Sequence, residues 1–309
     1  MSGRILSMGE ALVDVLPAAD GLWRPVAGGS SYNVARGLGR FGASCGFVGR
    51  LSRDGQGELM AGLLAAEGVT LDLCARDDRP SPLSLVAPGT QTTSARFAIY
   101  LDGTAHAPPD LPKNWLSGAA HLHVSSFSAI SAAWGKAVLA ALEDARGRIS
   151  ASLDLNVRPA LIPAREEARR ALEKRIALVD IVKASDEDLT WLFPDRDPAD
   201  AAREWAIRFG ALVLLTRGPA GATAFLGAET IDSPGRAVTV VDTVGAGDCF
   251  VAAFLSQAIT RGRFGPEAGT AGQLRTWLNF ANAAAALCCA RVGSNPPTRA
   301  ESEAFAQSF

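Results

Sequence analysis

The sequence predicts an α/β fold: a mainly parallel β-sheet between two layers of helices. Three features of the sequence support this prediction. Strand-like and helix-like patterns alternate along most of the 309 residues, as they do in repeated βαβ units. Two segments interrupt this alternation and carry short strand-like runs with no helix between them. Near the carboxyl terminus, a β-branched run leads through a pair of glycines into an apolar helical pattern.

The alternating elements follow one another in a regular order. Val34, Leu38 and Phe41 show the helical spacing on which the first helix is predicted. Strands are predicted at 4–9, 45–51, 120–127, 149–156, 178–185 and 212–218. Helices are predicted at 32–42, 57–68, 134–147, 165–176, 199–209, 247–260 and 270–290.

The two interrupting segments, 11–29 and 82–104, consist of short strands joined by turns rich in proline and glycine. Four such strands predict a small antiparallel sheet at one edge of the main domain. A cover over a cleft would exclude water during a reaction, so a lid is one interpretation. Hairpins without a function fit the pattern equally well. We found no internal repeat or linker, so residues 1–309 are predicted to form a single domain.

Composition excludes several classes of function. The chain is 48% hydrophobic and 20% charged, with a formal net charge of −2 and no cluster of Lys or Arg, which argues against nucleic acid as a partner. No apolar run is long enough to span a bilayer, so no membrane partner is expected. Five cysteines without a CxxC pair, and no recognisable signal peptide, predict reduced thiols in a cytoplasmic protein.

The stretch VVDTVGAGDCFVAAF, residues 240–254, carries the strongest chemical signal. Glycines at the start of a helix let the backbone approach a ligand, and first-turn amides that lack partners within the helix can bind an anion. The stretch is not a Walker A loop, because no Lys-Ser/Thr follows the glycines. A plain strand-to-helix turn is the alternative.

Asp248, just after the glycines, favours a catalytic interpretation. A carboxylate next to an anion site is useful when a phosphoryl group is being transferred, because it can take the proton of the attacking hydroxyl. The neighbouring amides would stabilise the charge that grows on the transferred group.

Several motifs resemble those of the ribokinase-like (PfkB) family of carbohydrate kinases. They are DTVGAGDCF (242–250), GGSSYNVARGLGRFG (28–42), GEALVDVLP (9–17), DLNVRP (154–159) and LLTRGPAGA (214–222). The resemblance covers roughly residues 4 to 300 and is nearest to the fructokinase-like members. It implies a ribokinase-like three-layer αβα sandwich with a mainly parallel central sheet and a small β-sheet lid.

The resemblance also implies roles for individual residues. Asp248 would be the general base, and the backbone of Gly245, Ala246 and Gly247 would form an anion hole. The residues implied to contact the sugar are Asp14, Gly28, Gly29, Asn33, Arg96 and Arg158. Arg158 could equally be a surface ion-pair partner on its spacing alone.

For the cofactor, the resemblance implies ATP with Mg²⁺, and a K⁺ site is a further expectation for the family. The implied nucleotide contacts are Ser185, Asp188, Thr216, Gly218, Gly221 and Asn282. Many family members carry Asn-x-x-Glu where this chain has KASDEDL, so Glu187 or Asp188 would hold magnesium through water. Either acid could instead be an ordinary charge at the start of a helix. Backbone oxygens near Asp242 and Thr243, with residues 290–297, would hold K⁺.

The expected reaction is transfer of the γ-phosphate of ATP to a primary hydroxyl of a ketohexose, with fructose 6-phosphate as the product. Three alternatives stay open: 2-dehydro-3-deoxygluconate or a nucleoside as the acceptor, or a sugar-binding regulator without catalytic activity. Open strand edges in the lid would allow a homodimer.

Other chemical patterns are weaker. His121 and His123 alternate on a predicted strand as metal ligands can, but no third ligand stands near them, so a structural role or one at the edge of the substrate site is favoured. GLGRFG (37–42) matches the dinucleotide pattern GxGxxG but lies at the end of a helix, where we expect it to allow close packing.

Overall fold

The computed structural model describes residues 3–18, 21–87, 96–162, 164–259 and 270–307. The strands, numbered in chain order, are β1 (Arg4–Met8), β2 (Leu12–Pro17), β3 (Trp23–Gly28), β4 (Cys45–Ser52), β5 (Cys74–Asp77), β6 (Leu83–Ala87), β7 (Arg96–Tyr100), β8 (Ala119–Ser125), β9 (Ser150–Asp154), β10 (Ile181–Ser185), β11 (Leu212–Thr216), β12 (Ala222–Leu226) and β13 (Glu229–Ser233). The α-helices are α1 (Ser30–Arg40), α2 (Gly55–Ala66), α3 (Gly135–Ala145), α4 (Arg165–Ile176), α5 (Asp186–Leu192), α6 (Pro198–Phe209), α7 (Ala246–Ala258), α8 (Ala271–Cys289) and α9 (Arg299–Gln307).

Nine strands form the central sheet in the order β13-β12-β11-β10-β9-β8-β1-β4-β5. The pairings from β5 to β11 are parallel, whereas β11, β12 and β13 are joined by antiparallel pairings. Because the parallel strands run in one direction, their carboxyl ends lie at one edge, where ligands bind in open α/β sheets.

Helices cover both faces of this sheet, as predicted. One core cluster contains buried side chains of α1, α2, α7 and α8, and we call the face that they cover the α7 face. A second cluster contains side chains of α3, α4, α5 and α6 on the opposite face. The three-layer α/β prediction is therefore confirmed.

Local chemistry explains where several helices begin and end. Asp54 accepts a hydrogen bond from the amide of Gly57 at the start of α2, and Asp197 accepts one from Ala199 before Pro198 opens α6. These are typical N-caps. Gly210 ends α6 in the left-handed conformation that glycine adopts without strain.

The four strands of the two interrupting segments form a separate small sheet in the order β3-β2-β6-β7, which we call the lid. Its outer pairings are antiparallel, as expected, while the central β2–β6 pairing is parallel. The reason is that β2 and β6 each open a hairpin, and they follow β1 and β5, which run in the same direction. Residues 19–20 and 88–95 of these segments lie outside the described residues.

The predicted helices and strands agree with the structure to within a few residues. Sequence patterns did not indicate β5, α5, the β12–β13 hairpin or α9, which are short elements. Within the described ranges, no helix combines the length and the apolar character needed to cross a membrane. The division into one domain with an inserted lid stays a prediction.

Candidate active site

Polar side chains gather where parallel strands of the central sheet end. Asp154, Ser185 and Thr216 are the last residues of β9, β10 and β11. The amino-terminal ends of α1 and α7 lie at the same edge, since Ser30 and Asn33 of α1 contact Asp248 of α7. The fold therefore brings together residues that are up to 218 positions apart in the chain.

Asp248 lies in the first turn of α7 and is almost completely buried. Its Oδ1 accepts a hydrogen bond from the hydroxyl of Ser30 (2.6 Å), and its Oδ2 accepts one from the side-chain amide of Asn33 (2.8 Å). Burial raises the pKa of Asp248, and the hydrogen bonds from Ser30 and Asn33 act in the opposite direction. The carboxylate is therefore held in one orientation, with a raised affinity for a proton.

The glycines before Asp248 have the geometry expected of an anion site. Gly245 is the N-cap of α7, with φ of 77°, and a side chain there would collide with Ser294. Ala246 donates its amide to the carbonyl of Thr243 (3.3 Å), which closes the turn. Within the described part of the chain, the amides of Gly245, Gly247 and Asp248 have no acceptor, whereas the amide of Ala246, which was also predicted to form the anion hole, is used within the turn. The amides without an acceptor can donate to an anion at the positive end of the helix dipole.

The predicted sugar contacts Asp14, Gly28 and Gly29 lie on the side of the site formed by the lid. Asp14 is buried on β2, and a side chain on Gly28 of the paired strand β3 would collide with its carboxylate. Burial raises the pKa of Asp14 to about 6. Gly29 is the N-cap of α1 and, with φ of 99°, adopts a conformation that favours glycine.

Asn33 and Arg158 also face this region. The side-chain oxygen of Asn33 is buried and has no hydrogen-bond partner among the described residues, so it can accept a bond from a ligand. The charge of Arg158 lowers the pKa values of both Asp14 and Asp248, although burial of each carboxyl outweighs it. Arg158 therefore lies near both acids. Arg96 begins β7, but its side chain lies outside what the structure describes.

Glu10 and Ser30 are residues of this site that the sequence patterns did not predict. Ser30 holds Asp248, as described above, and Glu10 accepts a hydrogen bond from the amide of Ser30 (3.0 Å). Burial raises the pKa of Glu10 to about 7. In the sequence, Glu10 is recognisable as an acid directly after a buried strand, and Ser30 as a serine next to the glycine pair at 28–29.

The predicted nucleotide contacts lie in three places: after β11, on α8 and at the start of α5. Thr216 ends β11, and Gly218 and Gly221 bound the short turn that follows, so these three residues lie together. Asn282, on α8, donates its side-chain amide to Ser233 Oγ (2.8 Å) and to the carbonyls of Ser233 and Pro234. It therefore anchors the segment after β13 to α8.

Ser185 and Asp188 form a capping box at the start of α5. Asp188 is buried, and its two oxygens accept hydrogen bonds from the amides of Ser185 (2.8 Å) and Val157 (2.7 Å). The second bond ties α5 to the segment that carries Arg158. Glu187, by contrast, is exposed. A cation held through water could use only the remaining lone pairs of Asp188, so the metal role stays a prediction.

Asp242 joins the two segments predicted to bind a monovalent cation. Its Oδ1 accepts from the amide of Val244 (3.0 Å), and its Oδ2 accepts from Gly293 (2.8 Å), within the segment 290–297. Thr243 lies in the same turn and accepts from Ala246. The two segments are thus adjacent, as such a site requires.

The surroundings of His121 and His123 support a structural role. Both are buried, with His121 bonded to Ser150 and Ser152 and His123 bonded to Ser152, at 2.7–2.8 Å. Burial lowers both pKa values to about 3, so both rings are neutral. No cluster of three potential metal ligands occurs in the described ranges.

Comparison with known proteins identifies the family. The model of the pfkB family carbohydrate kinases matches residues 4–301. The chain belongs to this family. It is therefore an enzyme of the sugar phosphotransferase class, and the family resemblance seen in its motifs is confirmed.

Relatives of this pfkB family kinase include proteins named fructokinase. The chain is similar to one from Rhizobium leguminosarum bv. trifolii, 35% identical over 82% of this chain and 78% of the relative. A second, from Klebsiella pneumoniae, is 33% identical over 85% of this chain and 86% of the relative.

Solved structures show the same fold. A fructokinase from Xylella fastidiosa with bound ATP has a TM-score of 0.88 and 26% identity, covering 100% of this chain and 99% of that one. A fructokinase from Vibrio cholerae O395, with fructose, ADP and calcium ion bound, has a TM-score of 0.84 and 23% identity, covering 98% and 99%. The ribokinase-like fold is therefore confirmed.

Proposed function

We propose that this kinase transfers the γ-phosphate of ATP to a primary hydroxyl of a ketohexose, with fructose as the substrate and fructose 6-phosphate as the product. The observation that carries the proposal is the buried carboxylate of Asp248, held by Ser30 and Asn33 at the glycine-rich start of α7. The relatives named fructokinase, and the neighbours with ATP or with fructose and ADP, support it.

Asp248 acts as the general base. It takes the proton of the sugar hydroxyl as that oxygen attacks the γ-phosphate, and its raised pKa makes it a better proton acceptor than an ordinary aspartate. The amides of Gly247 and Asp248, in the turn formed by Gly245 and Ala246, stabilise the charge of the transferred group. The base and the anion hole lie within the first turn of α7, so the distance between them stays constant.

The sugar lies between the lid and α1. Asp14 accepts hydrogen bonds from sugar hydroxyls, and the unpartnered Asn33 Oδ1 accepts another. Arg158 contacts the sugar or the transferred phosphate and balances part of the negative charge of Asp14 and Asp248. Gly28, Gly29 and Arg96 are further proposed contacts on the sugar-binding side of the site.

ATP is proposed to lie over the ends of β10 and β11, near Ser185, Thr216, Gly218 and Gly221. Asn282 supports this region by anchoring residues 233–234. Mg²⁺, held through water by Glu187 or Asp188, would neutralise phosphate charge. K⁺, held by backbone oxygens near Asp242 and Thr243, would stabilise the turn before the anion hole.

The test is ATP turnover with fructose, 2-dehydro-3-deoxygluconate, ribose and adenosine, each with Mg²⁺ and with or without K⁺. We expect kcat/KM to be highest for fructose, with the phosphate on O6 by NMR. A higher value for another acceptor would replace fructose by that acceptor. No phosphorylated product from any acceptor would instead favour a non-catalytic sugar-binding protein.

We further propose that the lid mediates a homodimer. Leu83, Leu85 and Tyr100 are exposed. They lie on the lid face opposite Asp14 and Ser84, because side chains alternate along each strand and paired residues of β2, β6 and β7 share a face. Trp23, on β3, is also exposed. Light scattering of Leu85→Glu, with exposed Ile207→Glu on α6 as the control, tests this. A monomeric wild-type chain would contradict the proposal.

A further inference from the structure

Lys183, on β10, is a buried cation close to the anion hole. Only 7% of its side chain is exposed, and its Nζ lies 3.1 Å from Oδ1 of Asp154, whose side chain is fully buried on the neighbouring strand β9. If Gly247 carried a Cβ atom, that atom would lie 3.1 Å from Lys183 Nζ. The ammonium group is therefore immediately beside the backbone that forms the proposed anion hole.

The charges around Lys183 are mostly negative. Burial acts to lower its pKa, but the carboxylates of Asp154, Asp188 and Asp248 outweigh burial and raise it, so Lys183 carries its charge at neutral pH. The negative charge of Asp154 is only partly compensated. Its oxygens make no well-directed hydrogen bond within the described residues, and burial raises its pKa to about 6. One lysine thus faces three acids in a region that must accept a phosphate.

A simple ion-pair role does not explain this position well. Replacing a buried ion pair by apolar groups is often neutral or stabilising, so stability alone is a weak reason for placing a lysine here. A fixed charge in a site of low dielectric, by contrast, acts strongly on charge that develops nearby.

We propose that Lys183 is a positioning residue for phosphoryl transfer, whose buried ammonium supplies a fixed positive charge behind Gly247 for the transferred group. The proposal rests on the proposed kinase reaction. Lys183 acts through the anion hole: it adds to the positive potential of the α7 amides and offsets the carboxylates that would otherwise repel the phosphate. The sugar is bound elsewhere, by Asp14 and Asn33, and should be unaffected.

The test compares Lys183→Met, Asp154→Asn and the double variant with the wild-type chain. Methionine keeps the length of the lysine side chain but removes its charge. We expect kcat to fall about 10- to 100-fold in Lys183→Met, with the sugar KM within about twofold of wild type. In the double variant, which has no unpaired buried charge, we expect thermal stability to return while kcat stays at least about tenfold below that of Asp154→Asn.

The double variant makes the experiment decisive even if Lys183→Met alone does not fold. A kcat equal to that of Asp154→Asn would show that Lys183 only pairs with Asp154 and would overturn the proposal. A second readout is binding of ADP with aluminium fluoride, a planar stand-in for the transferred group. This binding should weaken at least tenfold in the double variant relative to Asp154→Asn, whereas ATP binding should change less; equal weakening of both would also overturn the proposal.

The outcome is distinguishable from failure of the proposed function. If the wild-type chain prefers another acceptor, the same variants are compared on that acceptor. If it phosphorylates none, the kinase reaction fails as a proposal, and the binding of ADP with aluminium fluoride still decides whether Lys183 stabilises an anion beside Gly247.

Discussion

The two faces of the central sheet differ in chemistry although they are made by the same strands. On β8 and β9 the buried side chains of the α7 face are His121, His123, Ser125, Ser150, Ser152 and Asp154. Their immediate neighbours on the opposite face are Leu122, Val124, Ala151 and Leu153, all in an apolar cluster. Successive residues of a strand point to opposite faces, so one segment can serve two purposes.

This difference indicates how the molecule separates stability from catalysis. The apolar face can be packed densely, because nothing on it has to bind a ligand. The α7 face instead carries buried polar groups, which are costly unless each finds a partner. Two incompletely paired groups, Asp154 and Asn33 Oδ1, lie at the end of this face that meets the candidate active site, and His123 Nε2 on β8 is a further buried atom without a partner among the described residues. Changes on the two faces should therefore have separable effects, and the following variants test that.

The largest effect is expected from Asp248→Asn, at the active-site end of the α7 face. The amide cannot accept the proton of the sugar hydroxyl, so kcat should fall about a thousandfold. Sugar binding, measured by calorimetry without ATP, should stay within about threefold of wild type, because Asp14 and Asn33 are retained. Near-normal turnover in this variant would remove Asp248 from its assigned role.

The next largest effect is expected on the opposite face, from Leu153→Ala. Leu153 is fully buried, and its truncation leaves a cavity that should lower the free energy of unfolding by about 2–5 kcal/mol. Urea denaturation measures this loss. The KM and kcat of the folded fraction should be unchanged, and a tenfold change in either would show that the two faces are coupled.

A smaller, pH-dependent effect is expected from Glu10→Gln. Burial raises the pKa of Glu10 from 4.5 to about 7, so the folded chain holds this proton more tightly than the unfolded chain. The stability that this group contributes is full below pH 4.5 and is lost as the pH rises through 7. As the pH rises from 5 to 8, the free energy of unfolding should therefore fall by about 2 kcal/mol less in the glutamine variant than in wild type.

Denaturation curves at both pH values check the Glu10 prediction, with the exposed Glu303→Gln as the matched control. The control should keep the wild-type difference between the two pH values. If Glu10→Gln also keeps it, the carboxyl is not the source of this pH dependence.

The smallest effect is expected from Asn33→Ala. The variant loses the sugar acceptor Oδ1 and one hydrogen bond to Asp248, so the sugar KM should rise about tenfold, consistent with the loss of one or two hydrogen bonds. The KM for ATP should stay within about twofold. Steady-state kinetics with each substrate varied in turn measures both values, and an effect confined to ATP would contradict the placement of Asn33.

Much of this architecture could be predicted from the sequence, because its signals are local or periodic. Strand and helix patterns predicted the layers, and the glycines before Asp248 predicted an anion site at a helix start. The parallel pairing of β2 with β6 was not predictable from the patterns of those strands, because it depends on where two distant segments meet.

The site was harder to predict where the role of a residue depends on its neighbours in space. Asp186, Glu187 and Asp188 are consecutive acids that the sequence does not distinguish. Only Asp188 is buried, and both of its oxygens accept hydrogen bonds from backbone amides. Glu10 is an acid directly after a buried strand, but no local pattern reports that its charge is buried beside Ser30, or that the charge of Lys183 is buried beside Gly247. Their roles come from packing between elements far apart in the chain.

The short connection between β1 and β2 has a consequence for protein engineering. Only residues 9–11 separate the central sheet from the lid, and Glu10 among them holds Ser30, which in turn holds Asp248. A chimera that exchanges the lid to change specificity must therefore choose on which side of Glu10 to make the junction. If the junction precedes Glu10, a swap intended to alter the choice of sugar also replaces a support of the base.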